Sequence, residues 1–132
     1  NSTENEYLIN FHDVTYYMES LDFIEILSHI KGVYFCISDS KNTILKVSDS
    51  LINILDIKNH EQKTYLLTDF FNAKDTKLLQ EHIDNQNSSS YEIKLRYNNI
   101  KIPIFAKEFF GTINQKPVII SIFTDLTELK TL

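Results

Sequence analysis

The sequence has no tryptophan, one cysteine, two glycines and two prolines among its 132 residues. A lone cysteine, Cys36, excludes an internal disulfide and fits a reducing compartment, so we expect a cytoplasmic location. Because Gly32 and Gly111 are the only glycines, there is no glycine-rich loop to cradle a phosphate. The formal net charge is −5 and Arg96 is the only arginine, which leaves no basic stripe for nucleic acid.

Long apolar runs are also missing. No run approaches the ~18 residues of a membrane-spanning helix, and the N-terminus carries no signal-peptide pattern. We therefore expect no direct membrane contact from this stretch, which is compatible with a membrane-anchored parent protein. The remaining composition, 42% hydrophobic and 23% charged, is ordinary for a globular domain, and the length predicts one domain.

The C-terminal stretch combines a dense apolar strand with the start of a helix. Its residues alternate between two faces, Val118, Ile120 and Ile122 on one and Ile119, Ser121 and Phe123 on the other. The pattern stops at Asp125, and Asp125-x-x-Glu128 has the spacing of a capping box in which the aspartate accepts from the Glu128 N–H. Leu126 and Leu129 then follow at helical spacing. A helix that starts here predicts that more chain follows.

The N-terminal region, residues 4 to about 30, has apolar residues at helical spacing. The steps alternate between four and three residues in the set Tyr7, Phe11, Val14, Met18 and Leu21. Two interpretations carry equal weight. These residues either form the seam of a dimerising coiled coil or pack a helix against its own domain.

Between these ends, strands and helices follow in a defined order. The alternation of apolar and polar residues predicts five strands, over 33–38, 43–47, 91–97, 100–107 and 117–124. Ser48 or Asp49 is positioned to cap a short helix, and Asn72 a longer one. Asn98-Asn99 suits a two-residue hairpin turn. This order predicts an α+β domain with one antiparallel sheet and helices on one face.

The order and several motifs together resemble a PAS domain. The segment from Gly32 to Asp39 is similar to the first PAS strand, and Ile44 to Val47 is similar to the second. The segment from Asp69 to Asp75 resembles the one that leads into the long PAS helix. Thr124 to Lys130 is similar to the Asp-Ile-Thr-Glu-Arg-Lys ending with which many PAS domains pass into a signalling helix.

The resemblance implies a five-stranded antiparallel sheet with a ligand pocket between its inner face and the helices. It also implies a sensory input domain of a bacterial-type signal transduction protein, acting as a homodimer and covalently linked to an effector. Among effectors, the histidine kinase of a two-component system comes first and a diguanylate cyclase second. The corresponding division is 1–19 as an N-terminal helical segment, 20–124 as the PAS-like sensor domain and 125–132 as the start of the signalling helix.

Catalytic chemistry within the domain is not indicated, and we expect that it is not an enzyme. The four histidines are scattered, and Cys36 has no evident base partner. Flavin-linked relatives carry their cysteine in an Asn-Cys-Arg-Phe motif on a central helix, so Cys36, on the first strand, is interpreted as a packing residue. Haem-binding relatives place an axial histidine where His82 stands, and the plainer alternative is a histidine at the edge of the core. The sequence requires no cofactor.

The expected pocket is apolar. Its candidate lining residues, beside His82, are Phe35, Ile37, Ile52, Leu55, Leu66, Phe70, Leu79, Ile93, Leu95, Ile104, Ile120 and Ile122. The alternative for each is an ordinary core side chain. The residues expected to transmit a signal are Asp125, Thr127 and Glu128. Three hypotheses result: a ligand-responsive sensor, a ligand-free dimerisation module and a haem sensor.

Overall fold

The computed structural model describes residues 6–11, 14–19, 30–58 and 63–130, with side chains described in 30–58 and 63–128. Within these ranges the strands are β1 (Glu6–Phe11), β2 (Val14–Glu19), β3 (Val33–Asp39), β4 (Ile44–Val47), β5 (Tyr91–Tyr97), β6 (Ile100–Ile113) and β7 (Lys116–Asp125). The helices are α1 (Asp49–Ile54), a 3-10 helix (Leu67–Phe70), α2 (Ala73–Asp84) and α3 (Thr127–Lys130). None of the helices in these ranges has the length and apolar character that a membrane crossing requires.

Five strands form the main part of the sheet, in the order β4-β3-β7-β6-β5. Each of these neighbours pairs antiparallel. α1, the 3-10 helix and α2 come between β4 and β5 in the chain, and their apolar side chains pack on one face of the sheet. The predicted α+β fold with a five-stranded antiparallel sheet is confirmed.

Two tight hairpins set the register of β5, β6 and β7. The first joins β5 to β6 through Asn98-Asn99, whose φ angles are 50° and 67°. The second joins β6 to β7 through Asn114-Gln115, with φ angles of 51° and 70°. Two successive residues in the left-handed region match the twist of a two-residue hairpin, and asparagine tolerates that region better than most residues. The predicted turn at Asn98-Asn99 is confirmed.

Both predicted helix caps are present. Ser48 Oγ accepts a hydrogen bond from the Leu51 N–H at 3.3 Å and caps α1. Asn72 Oδ1 accepts from the Asp75 N–H at 2.8 Å and caps α2. Ser48 Oγ also accepts from the Phe35 N–H at 3.2 Å, which ties the start of α1 to β3.

The predicted N-terminal helix is wrong for the residues that the structure describes. β1 and β2 pair antiparallel, from Glu6 opposite Glu19 to Phe11 opposite Val14. Both segments are rich in aromatic and β-branched residues, which lose side-chain freedom in a helix and fit a pleated sheet. The seam residues Tyr7, Phe11, Val14 and Met18 lie on these strands, and Leu21 lies outside the described residues. The coiled-coil interpretation is therefore wrong for the described residues, because they form strands and not a helix.

β6 is long enough, at 14 residues, to take two strands along one edge. β7 pairs with residues 104–113 of β6 along one edge. Along the other edge, β5 pairs with residues 100–106 and β1 with residues 111–113. Among the described strands, residues 107–110 of β6 therefore pair with β7 alone.

The sheet is buried on both faces, and its two cores differ in what they contact. Tyr34, Cys36 and Phe123 belong to a core that includes residues of α1, the 3-10 helix and α2, and we call their side of the sheet the helix-side face. Phe35 and Ile120 belong to a second core on the opposite face. Successive strand residues point to opposite sides, which accounts for the division. The helix-side face is where the sheet meets the helices.

Candidate functional site

Much of the predicted apolar lining lies together on the helix-side face. One buried cluster contains Ile52, Leu55, Phe70, Leu79, Ile93, Leu95 and Ile104. The first four come from the helical elements and the last three from β5 and β6. Their role as a ligand pocket stays a prediction, because ordinary core packing uses the same residues.

Five other lining candidates lie elsewhere. They are Phe35, Ile37, Ile120 and Ile122 on the opposite face, and Leu66, which is 43% exposed. The prediction chose the wrong face of β3 and β7 because both faces are apolar enough to be buried: Phe123, on the helix side, is 1% exposed, as is Ile120. Since side chains alternate with a period of two, the choice of the more uniformly apolar set placed all four residues on the wrong side.

The helix-side face instead carries a row of polar side chains across three strands. Cys36 of β3 pairs with Ser121 of β7, and Ser121 pairs with Glu108 of β6. Adjacent strands lie about 4.8 Å apart, so the three residues are neighbours. Glu108 and Ser121 are fully buried, and Cys36 is almost so. Ser38, two residues along β3 from Cys36 and also fully buried, extends the row.

Glu108 is the only buried carboxyl group among the described residues. Its Oε1 accepts a hydrogen bond from the Tyr91 hydroxyl at 2.8 Å. No protein group in the described part of the chain bonds to its Oε2. Burial raises the pKa of Glu108 from 4.5 to about 7, and the hydrogen bond from Tyr91 partly offsets this rise. The site therefore holds a carboxyl group that changes charge near neutral pH.

The Cys36 thiol is a packing group within this row. Burial raises the pKa of Cys36 to about 12; the neighbouring Ser121 hydroxyl lowers it in part, and the Glu108 charge raises it further. A thiol with so high a pKa is protonated and poorly nucleophilic at neutral pH. The geometry accordingly agrees with a small packing residue rather than a reactive group.

His82 lies on α2, where its ring stacks on Tyr91 with the ring centroids 3.7 Å apart and the planes at 25°. Its Nδ1 is buried, with no hydrogen-bond partner in the described part of the chain. One face of the imidazole is therefore covered by the Tyr91 ring, whose hydroxyl bonds to Glu108. Haem ligation through His82 stays a prediction. Residues 30–58 and 63–128 contain no cluster of histidine, cysteine and acidic residues that could hold a metal ion.

Sequence reasoning missed Glu108, Ser121 and Tyr91 as site residues. The predicted strand ended at residue 107, whereas β6 continues to Ile113. The signal was present, because Glu108 follows Ile104 and Ala106 at a spacing of two and so places a charge on a buried face. Ser121 interrupts the apolar run of β7 in the same way.

The end of β7 is tied both to β3 and to the helix that follows. Asp125 Oδ2 accepts a hydrogen bond from the Tyr34 hydroxyl at 2.8 Å. Asp125 Oδ1 accepts from the Thr127 N–H at 2.8 Å and from the Thr127 hydroxyl. Thr127 supplies these two donors, where the sequence predicted the Glu128 N–H, because the chain forms a tighter Asx-type turn before α3. Glu128 lies in the first turn of α3 and is exposed.

Backbone contacts fix the same point of the sheet. The Asp125 N–H donates to the Gly32 carbonyl at 2.8 Å, and the Leu126 N–H donates to the Pro103 carbonyl at 2.8 Å. Burial, and then the hydrogen bond to Asp125, raise the pKa of Tyr34, so its hydroxyl stays protonated and donates. Asp125 and Ser121 are four residues apart on the same face of β7, or about 14 Å.

Comparisons with solved structures identify the fold. A PAS domain from Desulfitobacterium hafniense superposes with a TM-score of 0.63 at 19% identity, covering 77% of this chain and 99% of that one. A PAS domain from a two-component sensor histidine kinase gives a TM-score of 0.63 at 11% identity, covering 78% and 92%. The PAS domain of an HTR-like protein from Haloarcula marismortui gives 0.63 at 13%, covering 80% and 96%.

No family model matches the chain, and no curated protein matches it in sequence. At identities this low a structural match establishes the fold and leaves the function open. This chain has the fold of a PAS domain, as the resemblance predicted.

Proposed function

We propose that this domain is a sensory input domain: a small molecule bound at the helix-side face shifts β7, and Asp125 passes the change to the helix that follows. A bound molecule can move such an equilibrium only by its difference in affinity for the two states. The proposal therefore needs a site and an exit that share one structural element. β7 is that element.

The observation that carries the proposal is the position of Asp125. Its carboxylate bonds to Tyr34 of β3 on one side and to Thr127 of α3 on the other. It lies on the same strand and the same face as Ser121 of the buried polar row. A displacement of β7 at Ser121 would change the distance from Asp125 to Tyr34, and with it the geometry at the start of α3.

The effector and the assembly form the finer part of the proposal. We place a histidine kinase first and a diguanylate cyclase second, in a homodimer whose effector is covalently linked to this domain. The match to a PAS domain of a sensor histidine kinase supports the first choice of effector. A helical seam is not part of the proposal, since β1 and β2 are strands. Sedimentation equilibrium of the full-length protein should give a dimer, and a monomer at every concentration would contradict this part.

The experiment that tests transmission uses the full-length protein. Mass spectrometry of molecules released on denaturation identifies a co-purifying small molecule, and effector activity is measured with and without it. In Asp125→Ala and Thr127→Ala, regulation should be lost while affinity stays within about twofold of the wild type. Thr124→Ala, an exposed change on the same strand, is the matched control and should keep regulation. Regulation that survives both substitutions would rule out transmission through Asp125.

A further inference from the structure

The buried polar residues of this domain are few, and most are incompletely bonded. Among the described residues they are Ser38, Ser48, Glu108 and Ser121. Ser48 is fully used as the cap of α1 and as an acceptor for Phe35. Ser38 Oγ and Glu108 Oε2 have no hydrogen-bond partner in the described part of the chain, and the Ser121 hydroxyl has only the neighbouring Cys36 thiol, which is a weak partner. Buried polar groups in folded proteins are nearly always paired, so an unpaired carboxyl oxygen beside two poorly paired hydroxyls indicates a partner beyond the described protein groups.

These three residues are close together on the helix-side face. Glu108 and Ser121 are directly paired across β6 and β7, and Ser38 lies two residues beyond Cys36, the other neighbour of Ser121. Ser121 therefore stands between the carboxyl group and the second hydroxyl. Oε1 of Glu108 already accepts a hydrogen bond from the Tyr91 hydroxyl, so Oε2 is the carboxyl oxygen left to bind a ligand.

The side chains next to Glu108 and Ser121 on the helix-side face differ in size. The small ones are Cys36, Ser38 and Ala106, and the large ones are Phe110, Ile119 and Phe123. Small residues alone would indicate only close packing, but here they lie beside a buried carboxyl group whose second oxygen has no donor in the described part of the chain.

The charge of the missing partner follows from the charged groups around Glu108. Glu108 is the only buried carboxyl group in the described part of the chain, and no lysine or arginine there is buried with it. The other titratable groups on this side are Tyr91, which donates to Glu108, His82, which stacks on Tyr91, and Cys36 on β3. An ionised carboxylate in this position requires a positive charge or strong donors nearby. Two aromatic residues of the same face flank it, Phe110 on β6 and Phe123 opposite Ala106, and aromatic faces attract cations.

We propose that the helix-side face binds a small organic cation whose protonated nitrogen donates hydrogen bonds to Glu108 Oε2 and to the hydroxyl of Ser121. This inference rests on the proposed sensory function and specifies the class of molecule that is sensed. Tyr91 acts as a positioning residue, because its hydroxyl holds Oε1 and leaves Oε2 directed at the ligand. A neutral donor would leave the carboxylate charge uncompensated, and an anion would be repelled by it.

The test uses the intact protein and three probes that differ in charge at one group: benzylamine, benzyl alcohol and benzoate. Isothermal titration at pH 8 should give the order benzylamine, benzyl alcohol, benzoate, with about a tenfold step between the first two, since charge-assisted hydrogen bonds are the stronger class. At pH 6 the affinity for benzylamine should fall by about tenfold, because the pKa of Glu108 is about 7 and the amine stays protonated.

Substitutions locate the binding. Glu108→Gln should reduce the preference for benzylamine over benzyl alcohol to within about twofold and remove its pH dependence. Glu81→Gln, an exposed glutamate on α2, is the matched control and should keep both. If Glu108→Gln fails to fold, two other measurements test the proposal. They are the pH series on the wild type and the affinity of Ser121→Ala for benzylamine, which should be about fivefold lower than that of the wild type.

Three outcomes would overturn the proposal. They are equal affinity for amine and alcohol, a preference for the amine that persists in Glu108→Gln, and no binding of any probe, which would mean that buried water alone satisfies these oxygens. The proposed sensory function fails by a different readout, namely regulation that survives Asp125→Ala. A site that binds benzyl alcohol or benzoate best would therefore contradict the proposed cationic ligand without contradicting the proposed sensory function.

Discussion

Glu108 is the only buried carboxyl group among the described residues. It is completely buried, it has one hydrogen bond, from Tyr91, and its second oxygen has no partner in the described part of the chain. Loss of hydration raises its pKa to about 7. A carboxyl group of this kind makes the folded state sensitive to pH.

The sign of that sensitivity is opposite to the usual one for a carboxyl group. Between pH 4.5 and pH 7 the folded chain keeps a proton on Glu108 that the unfolded chain has lost, so stability falls as pH rises through this window. Urea unfolding should show the wild type losing about 2 kcal/mol relative to Glu108→Gln between pH 5 and pH 8. Glu81→Gln should track the wild type. A difference between wild type and Glu108→Gln that does not change with pH would contradict the assignment.

The same residue shows where sequence reasoning stops. Strand alternation predicted β5 closely, because its buried and exposed residues differ clearly in polarity, and the dense apolar run predicted β7. It failed to place Glu108, because a glutamate is normally taken to mark the end of a buried strand. Only the pairing of β6 with β7 shows that the charge lies inside. A polar residue in a site violates the pattern from which the fold is predicted.

At the scale of elements, the short helix α1 depends on one serine. Ser48 Oγ accepts from the N–H groups of Leu51 and Phe35, and Ser48 is 2% exposed. Ser48→Ala removes the side-chain acceptor of the Phe35 N–H and leaves the Leu51 N–H only the Ser48 carbonyl, at 3.1 Å, so it should lower the free energy of unfolding by about 1–2 kcal/mol. Denaturant unfolding measures this loss, with the exposed Ser90→Ala as a control near zero. A loss below about 0.3 kcal/mol in Ser48→Ala would show that water replaces the cap.

The exit from β7 can be tested by a double-mutant cycle. Tyr34→Phe and Asp125→Ala each remove one partner of a partly buried hydrogen bond, and the coupling energy between them should be about 1 kcal/mol. The coupling between Tyr65→Phe and Asp125→Ala should be close to zero, because the Tyr65 hydroxyl contacts Tyr97 instead. A Tyr34–Asp125 coupling as small as that control would mean that the contact does not hold β7 to β3.

Elements were predicted unequally well, and composition explains the difference. Helix caps and the Asn98-Asn99 turn are local signals, and both were confirmed. The N-terminal segment was misread because apolar residues three and four apart also fit a strand when nearly every second residue is apolar or aromatic. The choice between helix and strand there depends on β6, whose residues 111–113 pair with β1, and the sequence of the segment alone does not contain that information.

For the whole molecule, the antiparallel order of strands brings the buried polar row and Asp125 onto one strand. The order of elements was readable from the sequence because hairpin-length connections force neighbouring strands to pair. The face that carries the site was not readable, because both faces of β3 and β7 are buried and the sequence gives no sign of which one meets the helices. The central claim is that occupancy at Ser121 and Glu108 is transmitted to Asp125.

Amide hydrogen exchange across residues 121–130, with and without the tightest-binding of the three benzyl probes, measures that transmission directly. In the wild type, the probe should change exchange both near Ser121 and beyond Asp125, by at least about threefold. In Asp125→Ala, the change near Ser121 should remain and the change beyond position 125 should disappear. A probe that binds and alters exchange only near Ser121 in the wild type, leaving residues 125–130 unaffected, would contradict the account.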